Sequence, residues 1–427
     1  MNDKASAVFT IVRSWINTTA RGVRHFSWAI LDQAVISGSN FVSSVLLARI
    51  LGPNEFGRYV LAWTALLLIQ GLQHGAINGP MMSIGPKEEE SKAPRYYGAV
   101  FVQQAIFVTT ATVLSWFGIV ALTLTRPSWE IGGFALPLCA TILVCLTHDF
   151  LRRYFYSLGR PHLSLIMDTA RYLGQICILT AYFAAGWPAN GITALWVMVV
   201  TSLVATITLA PFISRLEWSH LQFKAIVVRN WHFAKWMTAS ALLSWATNNL
   251  YVMVSGALLG AATVGGLRAA QNIVGVTHLL FLGLENVVPV EAARRLVRRR
   301  PSAVSTYLQK VAIAGGAATA LICCIFVLFP DFWLGLLFGD SYRSYGYLVR
   351  WWALVEVLTF FSLPLNAWLR TFEKTRAGFY AYLFAAAVSI ILIYPFVRYL
   401  GASGAMLGMV ISVVTQLVVL MTVIKRM

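Results

Sequence analysis

Apolar runs long enough to cross a bilayer follow one another along this chain almost without a break, and nothing constrains its fold more. A membrane-crossing helix takes about 20 mostly apolar residues. Runs of that kind lie at roughly 28–50, 56–82, 97–124, 131–150, 162–186 and 191–213, and again at 233–259, 264–290, 311–328, 347–369, 378–397 and 402–424. Three connections, at 51–55, 187–190 and 260–263, leave room for a turn and nothing more. With 58% of 427 residues apolar and only 11% charged, the chain cannot cover itself as a soluble globule does, and it is far too hydrophobic to be disordered. The pattern predicts an all-α polytopic membrane protein of twelve spans with no sizeable extramembrane domain. No short apolar core with a small-residue cleavage site precedes the first span, so no removable leader is expected.

The formal charge of +17 would suggest a nucleic-acid partner in a soluble protein, but here it is first a statement about orientation, because Lys and Arg collect in cytoplasmic loops. With the N-terminus placed in the cytoplasm, 25 of the 33 Lys and Arg residues fall on the inner side. They include Lys87, Lys92 and Arg95, the trio Arg152, Arg153 and Arg160, and the run Arg294–Arg300. Arg49, Arg58, Arg126, Arg268, Arg343, Arg350 and Arg398 fall on or near the outer side, and Arg171 alone lies mid-span. Both termini are therefore expected inside, and no nucleic-acid partner is expected. Trp28, Trp129, Trp187, Trp351 and Trp352 sit near span ends, as interfacial anchors do. Ser6–Arg24 reads as an amphipathic helix on the inner leaflet, with Phe9, Trp15 and Ile16 beside Arg13 and Arg21. The five cysteines lie within apolar runs and form no metal-binding or disulfide pattern.

A shift of 208 residues lays the second half on the first. Trp28 falls on Trp236, Asn40 on Asn248, Leu51-Gly52 on Leu259-Gly260, Gly57 on Gly265, Gly75 on Gly283 and Asn78 on Asn286. Six spans per half is an even number, so both halves enter the membrane from the same side, as a parallel repeat about an axis along the membrane normal. The expected organisation is an amphipathic segment at 1–27, a six-helix bundle at 28–213, a basic linker at 214–232 and a second six-helix bundle at 233–427.

Polar groups inside spans are costly and should face protein or a wet cavity. The first span carries Gln33, Ser37, Asn40 and Ser44 on one stripe with Asp32 beside it, and the second carries Gln70, His74 and Asn78. The eighth carries Gln271, His278 and Glu285 at spacings of seven, flanked by Arg268, Asn272 and Asn286. Glu356 lies within the tenth. In the fifth, Asp168, Arg171 and Gln175 share a face, where an i,i+3 acid–base pair can neutralise itself. Asp149, among His148, Arg152 and Arg153, reads as structural. No Walker A, HExxH or GxSxG pattern occurs, so neither ATP-driven pumping nor hydrolysis is expected, and no cofactor or metal site is indicated.

Following that polar first span, Leu47-Ala48-Arg49-Ile50-Leu51-Gly52-Pro53-Asn54-Glu55-Phe56-Gly57-Arg58-Tyr59 resembles the N-terminal signature of polysaccharide-transporter flippases, within the multidrug/oligosaccharidyl-lipid/polysaccharide exporter superfamily. Ser157-Leu158-Gly159-Arg160-Pro161 resembles an inner-loop segment of the same group. The resemblance implies two six-helix bundles forming a V around a central lumen. It implies alternating-access transfer of an undecaprenyl-diphosphate-linked oligosaccharide across the bacterial cytoplasmic membrane. It also implies coupling to H⁺ or Na⁺, membrane-lipid contacts and work alongside polysaccharide polymerase or export machinery. On that reading Arg171, Arg49, Arg58, Arg268, Asn40, Asn78 and Asn272 are candidates for substrate contact, and Asp32, Asp168, Glu285, Glu356 and His278 for ion coupling.

Three rivals remain at this level. A multidrug exporter shares the fold, but an Arg-rich lumen disfavours cationic cargo. A lipid II-type flippase usually carries fourteen spans. A polytopic glycan polymerase or glycosyltransferase needs a larger loop than Phe329–Gly346, the longest outer one here.

Overall fold

A computed structural model of the protein describes residues 2–214, 216–218, 223–278, 280–281, 284, 288, 291–292, 295–296, 301–372 and 375–425, with side chains at residue 28 and from 31 on, except at 128, 233, 236, 240, 301, 370 and 375–377. Glu285, Asn286, Gly283, Arg294 and Arg298–Arg300 lie outside the described residues, as do the side chains of the amphipathic segment Ser6–Arg24.

The described residues form helices and no strand. In chain order they are α1 (Asn2–Gln73), a π-helical turn (His74–Asn78), α2 (Gly79–Ile84), α3 (Ala93–Thr125), α4 (Ala135–Ser157), α5 (Pro161–Ala185), α6 (Gly191–Leu209), α7 (Phe223–Leu259), α8 (Ala261–Val274), α9 (Pro301–Leu328), α10 (Pro330–Phe338), α11 (Gly346–Phe360), α12 (Ser362–Thr371) and α13 (Thr375–Lys425). Proline in the first turn opens α3, α5 and α10, where the missing amide hydrogen costs nothing.

Among the described residues, seven helical stretches are long and apolar enough to cross a membrane. Two of them, Leu31–Lys87 with 57 residues and Gly378–Lys425 with 48, are about two to three times the length one crossing needs. Each is broken near its middle by a glycine at positive φ, Gly52 (φ 69°) and Gly401 (φ 61°). α5 and α7, of 25 and 37 residues, are also long enough to span. The chain is a multi-pass membrane protein.

The shift of 208 residues has a backbone counterpart. Gly52 (φ 69°, ψ 174°) and Gly260 (φ 90°, ψ 168°) share one conformation that side-chain-bearing residues avoid. Each turns the chain directly into the next helix, at Pro53 and at Ala261. The two helix starts then cross in van der Waals contact. A Cβ on Gly57 would stand 1.7 Å from the Ala261 carbonyl oxygen, and one on Gly265 would stand 2.2 Å from that of Pro53. Residues 53 and 57 are thus to 261 and 265 what 261 and 265 are to 53 and 57, which is the reciprocity of a local two-fold axis. Only glycine permits so close an approach of backbones.

By packing, the chain divides into two units. One comprises Met1–Ser43, Gln73–Gly186 and Leu195–Met237, and the other Ser44–Leu72, Trp187–Ala194 and Thr238–Met427. Residues 44–72, which the sequence assigns to the first bundle, therefore pack with second-half helices, and the glycine crossing lies inside that unit. In the first unit an aromatic core holds α3 against α4. Phe101 meets Phe150 edge-on at 4.8 Å and Tyr154 at 5.2 Å, and Tyr97 meets Tyr154 at 5.2 Å. Such pairs add to the burial of their area, and they fix the rotation of α4. The opposite stripe of that helix carries the charges.

Candidate functional site

Cys145, His148, Asp149, Arg152 and Tyr156 recur on α4 at helical spacing, so they share a face. That face meets α1, α5 and the His74–Asn78 turn within the first unit. Arg152 stands between two buried carboxylates. Its Nη2 donates to Asp32 Oδ2 at 2.8 Å and its Nε donates to Asp168 Oδ2. Tyr156 donates its hydroxyl to Asp32 Oδ2 at 2.7 Å. Asp149 takes Arg153 Nε and Asn78 Nδ2, both at 2.9 Å, with Arg152 Nη1 at 4.0 Å. Asp32, His148 and Asp168 have 0–1% of their surface exposed, and Asp149 has 4%.

Arg171 completes the group. Its Nη1 lies 3.3 Å from His148 Nδ1 and its Nη2 3.7 Å from Cys145 Sγ. A guanidinium has no acceptor, so His148 accepts at Nδ1 and carries its hydrogen on Nε2. That nitrogen faces Asp168 Oδ1 at 3.7 Å. The cluster thus gathers three acids (Asp32, Asp149, Asp168) and three guanidiniums (Arg152, Arg153, Arg171) around one imidazole, with Arg152 and Arg153 on the acids and Arg171 on His148. Burying any one of these ions alone would cost several kcal/mol, and the balanced set is what makes the burial tolerable. Asp32 Oδ1, Asn78 Oδ1 and Arg171 Nε remain buried without a hydrogen-bond partner among the described residues. Next to it, Gln73 donates to Gln104 Oε1 at 3.0 Å and to the Leu146 carbonyl at 2.8 Å. The π turn that follows holds His74 and Asn78, and such irregular turns often mark functional positions.

The second unit is arranged differently. Glu356 on α11 is 4% exposed. Thr277 Oγ1 donates to its Oε2 at 3.5 Å, and His278 Nδ1 lies 3.7 Å from the same oxygen. No Lys or Arg among the described residues comes within 4 Å of it. His278, whose side chain is 57% exposed, stacks on Phe281 at 5.5 Å, and Phe281 packs on Phe360 at 5.4 Å.

The residues singled out from sequence fall into three groups. Asp32, Asp168, Arg171 and Asn78 come together in the buried cluster. Asp168 pairs with Arg152 rather than with Arg171, its neighbour on the same helix face, because α4 brings a guanidinium between Asp32 and Asp168. Arg49 and Arg58 are engaged elsewhere. Arg49 donates from Nε to the Leu337 carbonyl at 2.7 Å and from Nη2 to that of Leu336, closing the carbonyl end of α10. Arg58 lies 3.4 Å from Glu55, which also accepts the Gly191 amide at 2.9 Å. The third group is the remainder, Arg268, Asn272, Glu356 and His278 in the second unit and Asn40 in the first. Arg268 donates to Gln271 at 2.8 Å, Asn272 to Ser44 Oγ, and Asn40 is exposed. Glu285 lies outside the described residues.

Sequence reading missed Arg152, which it counted as an orientation-setting inner cation. Its pairing with Asp32 spans 120 positions. The signal available was the period of Cys145, His148, Asp149, Arg152 and Tyr156.

Comparison with known proteins gives a consistent picture. Residues 23–292 match the family model described as "Polysaccharide biosynthesis protein", and residues 237–395 match the MatE model. The lipopolysaccharide biosynthesis protein WzxC of Escherichia coli (strain K12) is 22% identical over 391 residues, covering 89% of this chain and 76% of that one. The structure is similar to an inward-facing multidrug resistance MATE family transporter of the MOP superfamily, with a TM-score of 0.73 and 16% identity over 92% of this chain and 94% of that one. It is likewise similar to the inward-closed lipid II flippase MurJ, with a TM-score of 0.72 and 13% identity over 94% and 87% of the two chains. At those identities the structural likeness speaks to the fold.

Proposed function

The chain belongs to the polysaccharide biosynthesis protein family, and from that premise we propose that it flips an undecaprenyl-diphosphate-linked oligosaccharide from the inner to the outer leaflet of a bacterial cytoplasmic membrane. At the level of the family it is a membrane flippase of lipid-linked polysaccharide and not an enzyme. The finer reading adds twelve spans in two six-helix halves, both termini inside, and alternating access of the halves. The observation that carries it is the reciprocal crossing of Pro53–Gly57 with Ala261–Gly265. A parallel repeat whose entry helices meet about a local two-fold axis is the geometry that two rocking halves require.

For coupling we favour protons, carried by Glu356 with His278 as the exposed partner. The acids of the first unit are matched by tethered cations, so Arg152 occupies the place between Asp32 and Asp168 that a mobile cation would need. For the substrate, Arg268 and Asn272 of the second unit present groups not committed to a buried ion pair, and a guanidinium suits a diphosphate. Arg171, Arg49, Arg58 and Asn78 serve on this reading to hold the helices that present them.

Deleting the gene strands lipid-linked oligosaccharide on the inner leaflet and removes surface polysaccharide. Normal surface polysaccharide in the deletion strain sinks the proposal.

A further inference from the structure

Away from both sites, the second unit carries an apolar groove of about 440 Å³, within the volume range of small-molecule sites. α12 packs against both α9 and α13 and so forms its floor, with Leu365 and Trp368. Leu308 and Ala312 of α9 and Leu417 and Met421 of α13 form its sides. Its polar lining comes from Ser305 and Gln309, one turn apart near the start of α9. That end of the unit carries two exposed lysines. Lys310, next to Gln309, and Lys425, next to the lining residue Ile424, are both exposed. In the sequence no Asp or Glu occurs in 301–312, 361–372 or 413–425, and Glu373 follows the second of these segments.

An apolar slot within spanning helices stays dry and takes hydrocarbon. A rim of hydroxyl, amide and ammonium groups takes an anionic headgroup. We propose that this groove is a binding site for an anionic phospholipid, with one acyl chain lying between α9 and α13 over Trp368 and the phosphate held at Lys310 and Lys425. Neither half of the arrangement suffices alone. The slot without the rim would accept any lipid chain, and the rim without the slot would only attract a diffuse layer of anionic headgroups.

Trp368 reports the occupant directly, since it lines the slot. The full-length protein is reconstituted in phosphatidylcholine vesicles containing increasing phosphatidylglycerol with brominated acyl chains, which quench tryptophan on contact. The difference from a Trp368→Phe variant isolates the signal of that residue. Half-quenching is expected at a phosphatidylglycerol fraction several-fold lower than for brominated phosphatidylcholine. The double variant Lys310→Gln/Lys425→Gln, confined to exposed positions, is expected to bring the two lipids together, and Ala312→Phe to remove the quenching. Equal quenching by the two headgroups in the wild type, or selectivity untouched by the double variant, overturns the proposal. So does displacement of the quencher by a polyprenyl phosphate but not by unbrominated phosphatidylglycerol.

Discussion

The two parts of the internal repeat share a backbone turn and the helix crossing that follows it, and differ in charge. Gly52 and Gly260 adopt the same positive-φ turn, and the helix starts that follow them are interchangeable at their crossing. Their buried acids are treated in opposite ways. Asp32 and Asp168 of the first unit share Arg152 and Asp149 is met by Arg153, with Arg171 beside them on His148, whereas Glu356 of the second is met by a threonine hydroxyl and an exposed imidazole. The difference separates two tasks that identical halves would have to share. A charge cluster balanced ion for ion holds helices in one arrangement, while a buried carboxyl without a fixed cation can exchange its proton as the protein moves. If Glu356 carries the coupling proton as proposed, the charge cluster is the stiff element and Glu356 the responsive one.

The largest effect that would test this contrast comes from Arg152. Replacing it with alanine leaves Asp32 and Asp168 buried and facing each other without their shared cation, and breaking a buried pair in this way costs about 3–5 kcal/mol. A large fall in the thermal unfolding temperature of Arg152→Ala in detergent is expected. Neutralising all three positions together, as Arg152→Met with Asp32→Asn and Asp168→Asn, should restore most of it. A near-neutral Arg152→Ala would break the comparison, because the first unit would then not depend on charge balance.

A smaller effect sharpens the symmetric side. Gly57→Ala and Gly265→Ala each force a methyl group against a backbone carbonyl across the same crossing. Overpacking of this kind costs about 1–3 kcal/mol. The two variants are expected to lose stability by equal amounts in the same unfolding assay. A clear inequality would mean that only one of the two helix starts bears the contact.

Which of these features could be read from the sequence follows from their range. Gly52 and Gly260 were legible because the constraint is local: a short connection between two apolar runs requires a turn, and the shared offset of 208 marks both. The polar stripe of the first span and the face shared by Asp168 and Arg171 were legible for the same reason. The partners were not. Nothing near Asp32 points to Arg152, which lies in an apparent inner-loop cluster with Arg153 and Arg160. Nor does anything near Arg49 indicate that it closes α10, 288 positions away. Charge tells where a residue is tolerated in a membrane, and only the fold tells what neutralises it. The count of basic residues that sets orientation therefore overstates how many are free for that purpose, since Arg152 and Arg153 lie inside a paired cluster.

The smallest structural effect expected is also the one that bears most on transport. In Glu356→Gln the amide oxygen can still accept the Thr277 hydroxyl, and no guanidinium among the described residues loses a counter-ion. Stability should change by less than about 1 kcal/mol, the scale of a single hydrogen bond. Asp168→Asn, which takes a carboxylate from Arg152, should cost clearly more in the same measurement. Transport should rank the other way. Glu356→Gln removes the carboxyl that would carry the proton, so proton-driven flux in proteoliposomes and surface polysaccharide in complemented cells should fall sharply. His278→Ala should lower them less, because water can replace an exposed imidazole. If instead Glu356→Gln transports normally and Asp168→Asn does not at equal folded protein, the responsive partner is the first unit, and the balanced cluster must open during the cycle.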